Sequence, residues 1–398
     1  MSETNMERVY REKEKRLIAA MQNEKPDRVP LRIYAAEFCA KYVGYSIQEA
    51  THDFEKGFFA VRKCAKDFKW DGTITNPIYV WTGLVEQIGL KYFKVPGTDL
   101  SPNIGFQYLE PDDEESAFMH EDEYDLLIES PTQFLTNVWL PRVSKYFVPP
   151  GSKNTYDNNM AWLKGGMSML YYDYKNNEQA ELMKKDSGTV ASVIGILIAP
   201  MDIIANKLRG FKQLCIDIYR RPDKVLAACR ALQPYLLQNA LYSSDHERKF
   251  PIGLWLHRGN LFSDKIFKEI YWPTLKDIVE ELWRNNIQTL WYAEGDWGRW
   301  IDYVKTLPEK SIIYHVDKDD IFEVHKKIGN KFCLSGGIPN DMLAFSQPEE
   351  IKEYCKKIIK IVAKEGGYIL DAGGAIQQDA KIENVRAITD AAFEYGTY

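Results

Sequence analysis

Several things are missing from this 398-residue sequence, and each absence narrows its possible roles. Basic residues are not in excess: 51 Lys and Arg stand against 57 Asp and Glu, a net charge of −6. With no basic half, the sequence does not read as a partner for a nucleic-acid backbone. Long apolar runs are absent too. The most apolar stretch, Thr189–Met201, stops at Asp202 and falls short of the ~18 residues a membrane-spanning helix requires. The opening MSETNMERVYREKEKR carries no apolar segment, so a soluble cytoplasmic protein with no membrane partner is expected. Cys39, Cys64, Cys215, Cys229, Cys333 and Cys355 are scattered with no C-x-x-C spacing, which excludes a disulfide framework and a thiolate zinc knuckle. Nor is there a G-x-x-x-x-G-K-[ST] loop, a G-x-G-x-x-G fingerprint or a G-x-S-x-G elbow.

What is present is aromatic and periodic. Aromatic residues make up 13% of the chain, enough for a large core and for a flat, π-lined pocket. After a charged amphipathic helix over 2–22, eight β-like runs alternate with helix-length segments. They are RVPLRIYA (28–35), GTITNPIYV (72–80), ASVIGILIAP (191–200), IGLWLH (252–257), QTLWYAE (288–294), SIIYHV (311–316), KFCLSGGI (331–338) and GYILDAGG (367–374). Several are continuously apolar, as parallel strands covered on both faces must be. Between them, Trp272–Arg284 and the segment after Ser346 carry helix signals: early proline, first-turn acid and an apolar stripe. Eight βα units imply an α/β fold, a (β/α)8 barrel. The reading is a single domain over 1–398, with 1–27 as an N-terminal helical extension and 81–188 as an insertion over the barrel mouth. The acidic runs EPDDEES (110–116) and HEDEYD (120–125) in that insertion read as solvated surface.

Barrel chemistry collects where strands end, because those loops share one mouth. The fourth run ends on His257, Arg258 and Asn260, the fifth on Glu294 and Asp296, the sixth on His315 and Asp317, the eighth on Asp371. Three N/O donors with one open position is the layout of a catalytic zinc. Glu294 and His315 are the candidate ligands, with His257 or Glu280 as the third. The competing reading pairs Glu294 with Arg258 or Arg299 and leaves His315 satisfied by hydrogen bonds. Asp296 and Asp317 are placed for acid–base work, and helix capping explains such Asp residues equally well.

The passages EKPDRVPL, IAPMDIIANKLRGFKQLCIDIYRRPDKV, YAEGDW, LSGGIPNDML, SQPEEIKEYCKKII and AKIENVRAITDAAFEYGTY resemble the uroporphyrinogen decarboxylase superfamily. That resemblance implies a (β/α)8 barrel and one of two activities: decarboxylation of a tetrapyrrole's acetate arms, or zinc-dependent methyl transfer involving a corrinoid on a small partner protein. The decarboxylases carry M-R-Q-A-G-R after their first strand. Here LRIYAAEFCAKY holds only Arg32, too little to neutralise eight carboxylates. Methyltransferases with H-x-C-G-N ligands are also distant, since Leu256, Arg258 and Gly374 stand where their His and two Cys would be.

The sequence is most similar to the methyltransferase I components of anaerobic O-demethylases, whose zinc motif is E-x14-E-x20-H. Glu294 to His315 reproduces the second half, and Glu280 is one residue short of the first. This likeness implies that zinc polarises the ether oxygen of a methoxylated aromatic stacked among Tyr34, Trp81, Trp291, Tyr292 and Trp297. Arg258, Asn260 and Asp371 would surround that substrate, and Asp296 or Asp317 would protonate the leaving phenolate. Cobalamin on a partner corrinoid protein would take the methyl group. It also implies a homodimer, for which no surface stripe is read in the sequence. The alternatives are a decarboxylase of a smaller carboxylate anchored by Arg32 or Arg258, and a non-catalytic barrel holding an aromatic or tetrapyrrole ligand.

Overall fold

The eight apolar runs form nine short parallel strands, and an antiparallel ribbon is inserted among them. In chain order these are β1 (Arg32–Ile33), β2 (Gly72–Thr73), β3 (Phe93–Lys94), β4 (Gln107–Tyr108), β5 (Val190–Ala191), β6 (Ile196–Ile198), β7 (Ile252–Leu256), β8 (Thr289–Ala293), β9 (Ile312–Val316), β10 (Cys333–Gly336) and β11 (Tyr368–Ile369). The computed structural model describes residues 5–74, 82–91 and 93–398. Only β3–β4 pairs antiparallel among the described strands.

Two hydrogen-bonded groups, β1-β2-β5 and β11-β10-β9-β8-β7-β6, follow one another as staves of a barrel. The seam between β1 and β11 carries parallel backbone bonds: Arg32 N–H donates to Leu370 at 3.1 Å, and Leu370 N–H to Pro30 at 2.9 Å. The other seam is one stave shared by two neighbours. Residues 190–191 pair with β2, residues 196–198 pair with β7, and Gly195 at φ +81° makes the corner between them. A side chain at Gly195 would strike the Ser243 backbone, so glycine is required on both counts.

Strand parity sorts the core into two layers. Ile33, Leu254, Leu256, Trp291, Ala293, Ile312 and Tyr314 face the surrounding helices. Tyr34, Trp255, Leu290, Tyr292, Ile313, Cys333 and Ile369 face the barrel interior, together with Leu17, Ala20 and Met21 of the first helix, Asn5–Met21. That helix plugs the N-terminal end of the strands, where Gln288 donates to the Met21 carbonyl at 3.0 Å. The opposite end stays open as the mouth.

The helix after β7, Trp272–Arg284, has the limits its pattern predicts. The helix expected after Ser346 runs over Pro348–Ile361, capped by Gln347 with Glu350. Within the insertion, the β3–β4 ribbon lies at the mouth, while the long helix Tyr156–Ser187 packs on the helices Asn5–Met21 and Phe54–Asp67. The acidic runs are not mere solvated surface. Glu114 and Asp217 hold the buried Arg209 at 2.7 and 2.6 Å, Glu123 holds Arg142 at 2.7 Å, and Asp125 holds Lys224 at 2.6 Å. Glu114 and Asp125 thus tie the insertion to the helices beneath it, and Glu123 braces it from within. Among the described residues no helix is long and apolar enough to cross a membrane.

Candidate functional site

Register fixes which strand-end groups share a level. β7 pairs Trp255 with Tyr292 and Leu256 with Ala293, so the next inward residues, His257 and Glu294, stand side by side. β9 pairs Tyr292 with His315 and Ala293 with Val316, so the neighbour of Glu294 on that side is Asp317. His315 lies two residues deeper, level with Tyr292.

At the upper level His257 Nδ1 meets Glu294 Oε2 at 2.8 Å. Burial of the ring disfavours its charge. The hydrogen bond and attraction of Glu294, helped by Asp202, nevertheless hold the His257 pKa above the ordinary histidine value. Asp202, wholly buried, positions this corner. It accepts the backbone N–H of His257 at 3.0 Å, that of Arg258 at 3.1 Å and the Tyr271 hydroxyl at 2.8 Å. Burial pushes the Asp202 carboxyl up to about 6. Arg258 reaches Asn206 at 3.1 Å and Glu110 at 3.5 Å, and lies over the Phe211 ring. Glu294 thus takes His257 as its ionic partner, not Arg258 or Arg299. Arg299 donates to the carbonyls of Asn260 and Phe262.

Before this corner opens a cavity of about 710 Å3, within the range of small-molecule sites. Its walls are aromatic: Tyr34 and Trp255 from the barrel, Phe93, Phe106 and Tyr108 from the ribbon. Tyr34 and Trp255 pack ring to ring with Tyr292 behind them, centroids 5.7–6.4 Å apart. Burial and the charge of Glu294 push the Tyr108 phenol up to about 12, so it stays protonated. Glu37 also lines the cavity, its carboxyl raised by burial. A second space of about 660 Å3, lined by Tyr292, Asp317 and Asp319, meets the first at Glu294 and Gln377.

The zinc set expected from the sequence is not assembled. His315 is fully buried, with Nδ1 at 2.9 Å from Ser335 Oγ, Nε2 at 2.9 Å from the Gly373 carbonyl oxygen, and its ring stacked on Tyr292 at 4.4 Å. Both ring nitrogens thus have hydrogen-bond partners, and the ring lies one inward level below Glu294. Glu280 sits near the C-terminal end of Trp272–Arg284, which returns to the barrel end opposite the mouth, and pairs there with Lys276 at 3.6 Å. Among the described residues no three His, Cys, Asp or Glu side chains gather as a metal site.

Burial and then Arg32 lower the His315 pKa to about 3, so the ring is held neutral. A histidine depressed in the fold contributes stability that is present above the unfolded value of 6.5 and lost as pH falls toward 3. Urea unfolding at pH 7 and pH 5 is expected to differ by up to about 1.4 kcal/mol per pH unit from this group. A His315→Gln variant should lack that increment.

The other expected site residues are distributed by parity and depth. Tyr34 lines the cavity, and Tyr292 lines the second space. Trp81 lies outside the described residues. Trp291 points outward against Trp272 and Trp297, so it offers no substrate face. Trp297 is fully buried and donates its indole N–H to the Glu294 carbonyl at 2.9 Å, which makes it a positioning residue. Asn260 packs on Gly295 beside the cavity, not in its lining. Asp371 lies below the cavity, buried 3.6 Å from Arg32, and burial raises it to about 7. Arg32 itself donates to Ser335 at 2.9 Å and cannot anchor a carboxylate at the mouth. Asp296 accepts the Gly298 N–H and is held low by its hydrogen bond with Asp319. Burial and that same contact push Asp319 up to about 7; Asp319 lines the second space, while Asp296 lies outside both linings. Asp317 does line the second space. Burial holds its carboxyl above the usual range, against the Gly295 N–H it accepts at 2.7 Å.

Sequence reasoning missed Asp202, Glu37 and the ribbon aromatics. Asp202 carried a signal, an acid directly after an apolar run. The ribbon carried only alternating aromatics within a stretch of unassigned topology.

Comparison with known proteins places this site in context. Residues 177–395 match the model of the family described as uroporphyrinogen decarboxylase (URO-D), which spans β5 to the last helix and so includes His257, Glu294 and Asp317. Uroporphyrinogen decarboxylases of Neisseria meningitidis (serogroup C, serotype 2a) and Neisseria gonorrhoeae are each 24% identical over 216 residues, 51% of this chain. The match covers 58% of the length of those relatives. A solved methyltransferase from Methanosarcina mazei has the same fold, with a TM-score of 0.61 and 16% identity over 96% of this chain and 98% of that one. The matched barrel half carries the polar corner, while the aromatic ribbon lies outside the matched span. On this evidence the chain belongs to the uroporphyrinogen decarboxylase (URO-D) family.

Proposed function

We propose that the chain is a methyltransferase that removes the methyl group of an aryl methyl ether, with a corrinoid protein as acceptor. One observation carries this reading: an aromatic-walled cavity with the hydrogen-bonded His257–Glu294 pair in its polar corner. The corrinoid on the partner protein supplies the nucleophile that takes the methyl carbon. The chain's own task is then to hold the ring, exclude water and manage the leaving oxygen.

Tyr34, Trp255 and the ribbon rings stack on the arene. As the methyl–oxygen bond breaks, its electron pair stays on the phenolate oxygen. His257, charged and with Nδ1 engaged by Glu294, delivers a proton from Nε2, so a phenol leaves. Arg258 adds positive charge beside the developing phenolate. No step is routed through zinc, because the donor set does not gather.

The test is anaerobic incubation of the full chain with 2-methoxyphenol and cob(I)alamin. Catechol and methylcobalamin in equal amounts are expected. Neither product, with or without added zinc, would refute the reading. Decarboxylation of a small aromatic acid is the second reading, favoured by the adjacent cations His257 and Arg258, and carbon dioxide release would identify it. Phe106→Ala and Tyr108→Ala should each raise KM about tenfold, the loss of one ring contact of about 1–1.5 kcal/mol. Their urea midpoints should stay unchanged, because the ribbon is short and peripheral.

A further inference from the structure

The β3–β4 ribbon is only two residue pairs long, Phe93 opposite Tyr108 and Lys94 opposite Gln107. A two-stranded ribbon of that size is marginal in water by itself. Yet Phe93 and Tyr108, with Phe106 just before β4, wall the cavity. Their rings pack on one another with centroids 5.1–5.7 Å apart. A wall built on so short a ribbon needs support from outside it.

The segment Ile204–Leu208 gives that support. It is a π turn, a helical turn widened by one residue, closed by Arg209 N–H on the Ile204 carbonyl at 2.8 Å. Successive residues of the turn serve different neighbours. Asn206 lines the cavity and accepts from Arg258 at 3.1 Å. The Lys207 carbonyl accepts the Trp139 indole N–H at 2.7 Å, and the Leu208 carbonyl accepts the Met119 N–H at 2.8 Å. Both donors belong to the insertion. The Lys207 side chain runs to the ribbon, where its ammonium stands 5.4 Å from the Phe93 ring centroid and 5.5 Å from that of Tyr108. Burial lowers this amine to about 8, so it is charged at pH 7. A desolvated ammonium is drawn to ring faces more strongly than an exposed one. Lys207 is not in the cavity lining, so its charge reaches a ligand through the two rings.

We propose that Lys207 is a positioning residue: its ammonium clamps Phe93 and Tyr108 from behind and sets the aromatic wall on which the ligand stacks. Because the π turn follows Asp202 directly, one segment then sets both the polar corner and the facing wall. The clamp is independent of the reaction; only the choice of an arene as probe rests on the function proposed above.

Hydrogen–deuterium exchange and calorimetric titration with 2-methoxyphenol, at pH 7 on the full chain, test it. Lys207→Met keeps the apolar stem and drops the charge, and Lys207→Arg restores the charge. In Lys207→Met the ribbon amides at 93–94 and 107–108 should exchange about tenfold faster and Kd should rise about tenfold, the size of one cation–π contact. Lys207→Arg should return both to within about twofold of the parent chain, since a guanidinium also stacks on ring faces. Unchanged ribbon exchange or unchanged affinity in Lys207→Met overturns the proposal, as does an Arg variant that restores neither. Should the parent chain not bind 2-methoxyphenol, the aryl-ether reading fails and the ribbon exchange alone decides the role of Lys207.

Discussion

Glu294→Gln is expected to lower kcat/KM for an aryl methyl ether about 100-fold, within the range contributed by a positioned acid. The charge of Glu294 sustains the imidazolium of His257 at 2.8 Å. A neutral amide keeps the shape and removes that support. The sign of the accompanying pH effect follows. His257 acts as the protonated form, its pKa is raised, and the rate falls as pH rises through that raised value. In Glu294→Gln the falling limb should move to lower pH. His257→Gln should abolish the limb and lose a similar factor in rate. A full pH–rate profile of the three proteins checks this, and an unmoved limb in Glu294→Gln would contradict the assigned acid.

The largest effect on both stability and rate is expected at Asp202. Asp202→Ala leaves two buried backbone N–H groups and the Tyr271 hydroxyl without their acceptor. Each orphaned donor costs about 1–3 kcal/mol, so a loss of roughly 4 kcal/mol by urea unfolding is anticipated. His257 and Arg258 take their places from those same bonds. Their displacement by even ~1 Å should lower kcat/KM by about a further 100-fold. Tyr271→Phe removes a single donor and should cost only about 1 kcal/mol with catalysis largely retained. Equal losses in both variants would mean that Asp202 acts only through Tyr271.

Much of this architecture is legible in the sequence because burial on both faces writes itself as apolar runs. The runs at 252–257, 288–294 and 311–316 become β7, β8 and β9, and each ends on the polar group that reaches the mouth. Parity was in the sequence too, but the expectation that Trp291 and Tyr292 both stack on the substrate ignored it. Once Glu294 faces inward, Tyr292 must follow it and Trp291 must turn away. Depth was not. A spacing of twenty residues between Glu294 and His315 looks like one βα repeat, but the register is set by loop lengths and tilt. Here it sets His315 beside Tyr292 and Asp317 beside Glu294. The insertion was opaque for a different reason: its contacts are long-range. Glu114 finds Arg209 and Glu110 finds Arg258 far along the chain, so their runs look like solvated acid.

The central claim is that His257 and Glu294 are the working pair and that His315 is a neutral structural group. Metal content of the purified protein, beside His257→Ala, Glu294→Ala and His315→Ala, tests it most directly. The account predicts no stoichiometric zinc that depends on His315, and turnover of the aryl ether by chelator-treated protein. Near one zinc per chain, lost in both Glu294→Ala and His315→Ala and required for turnover, would contradict it.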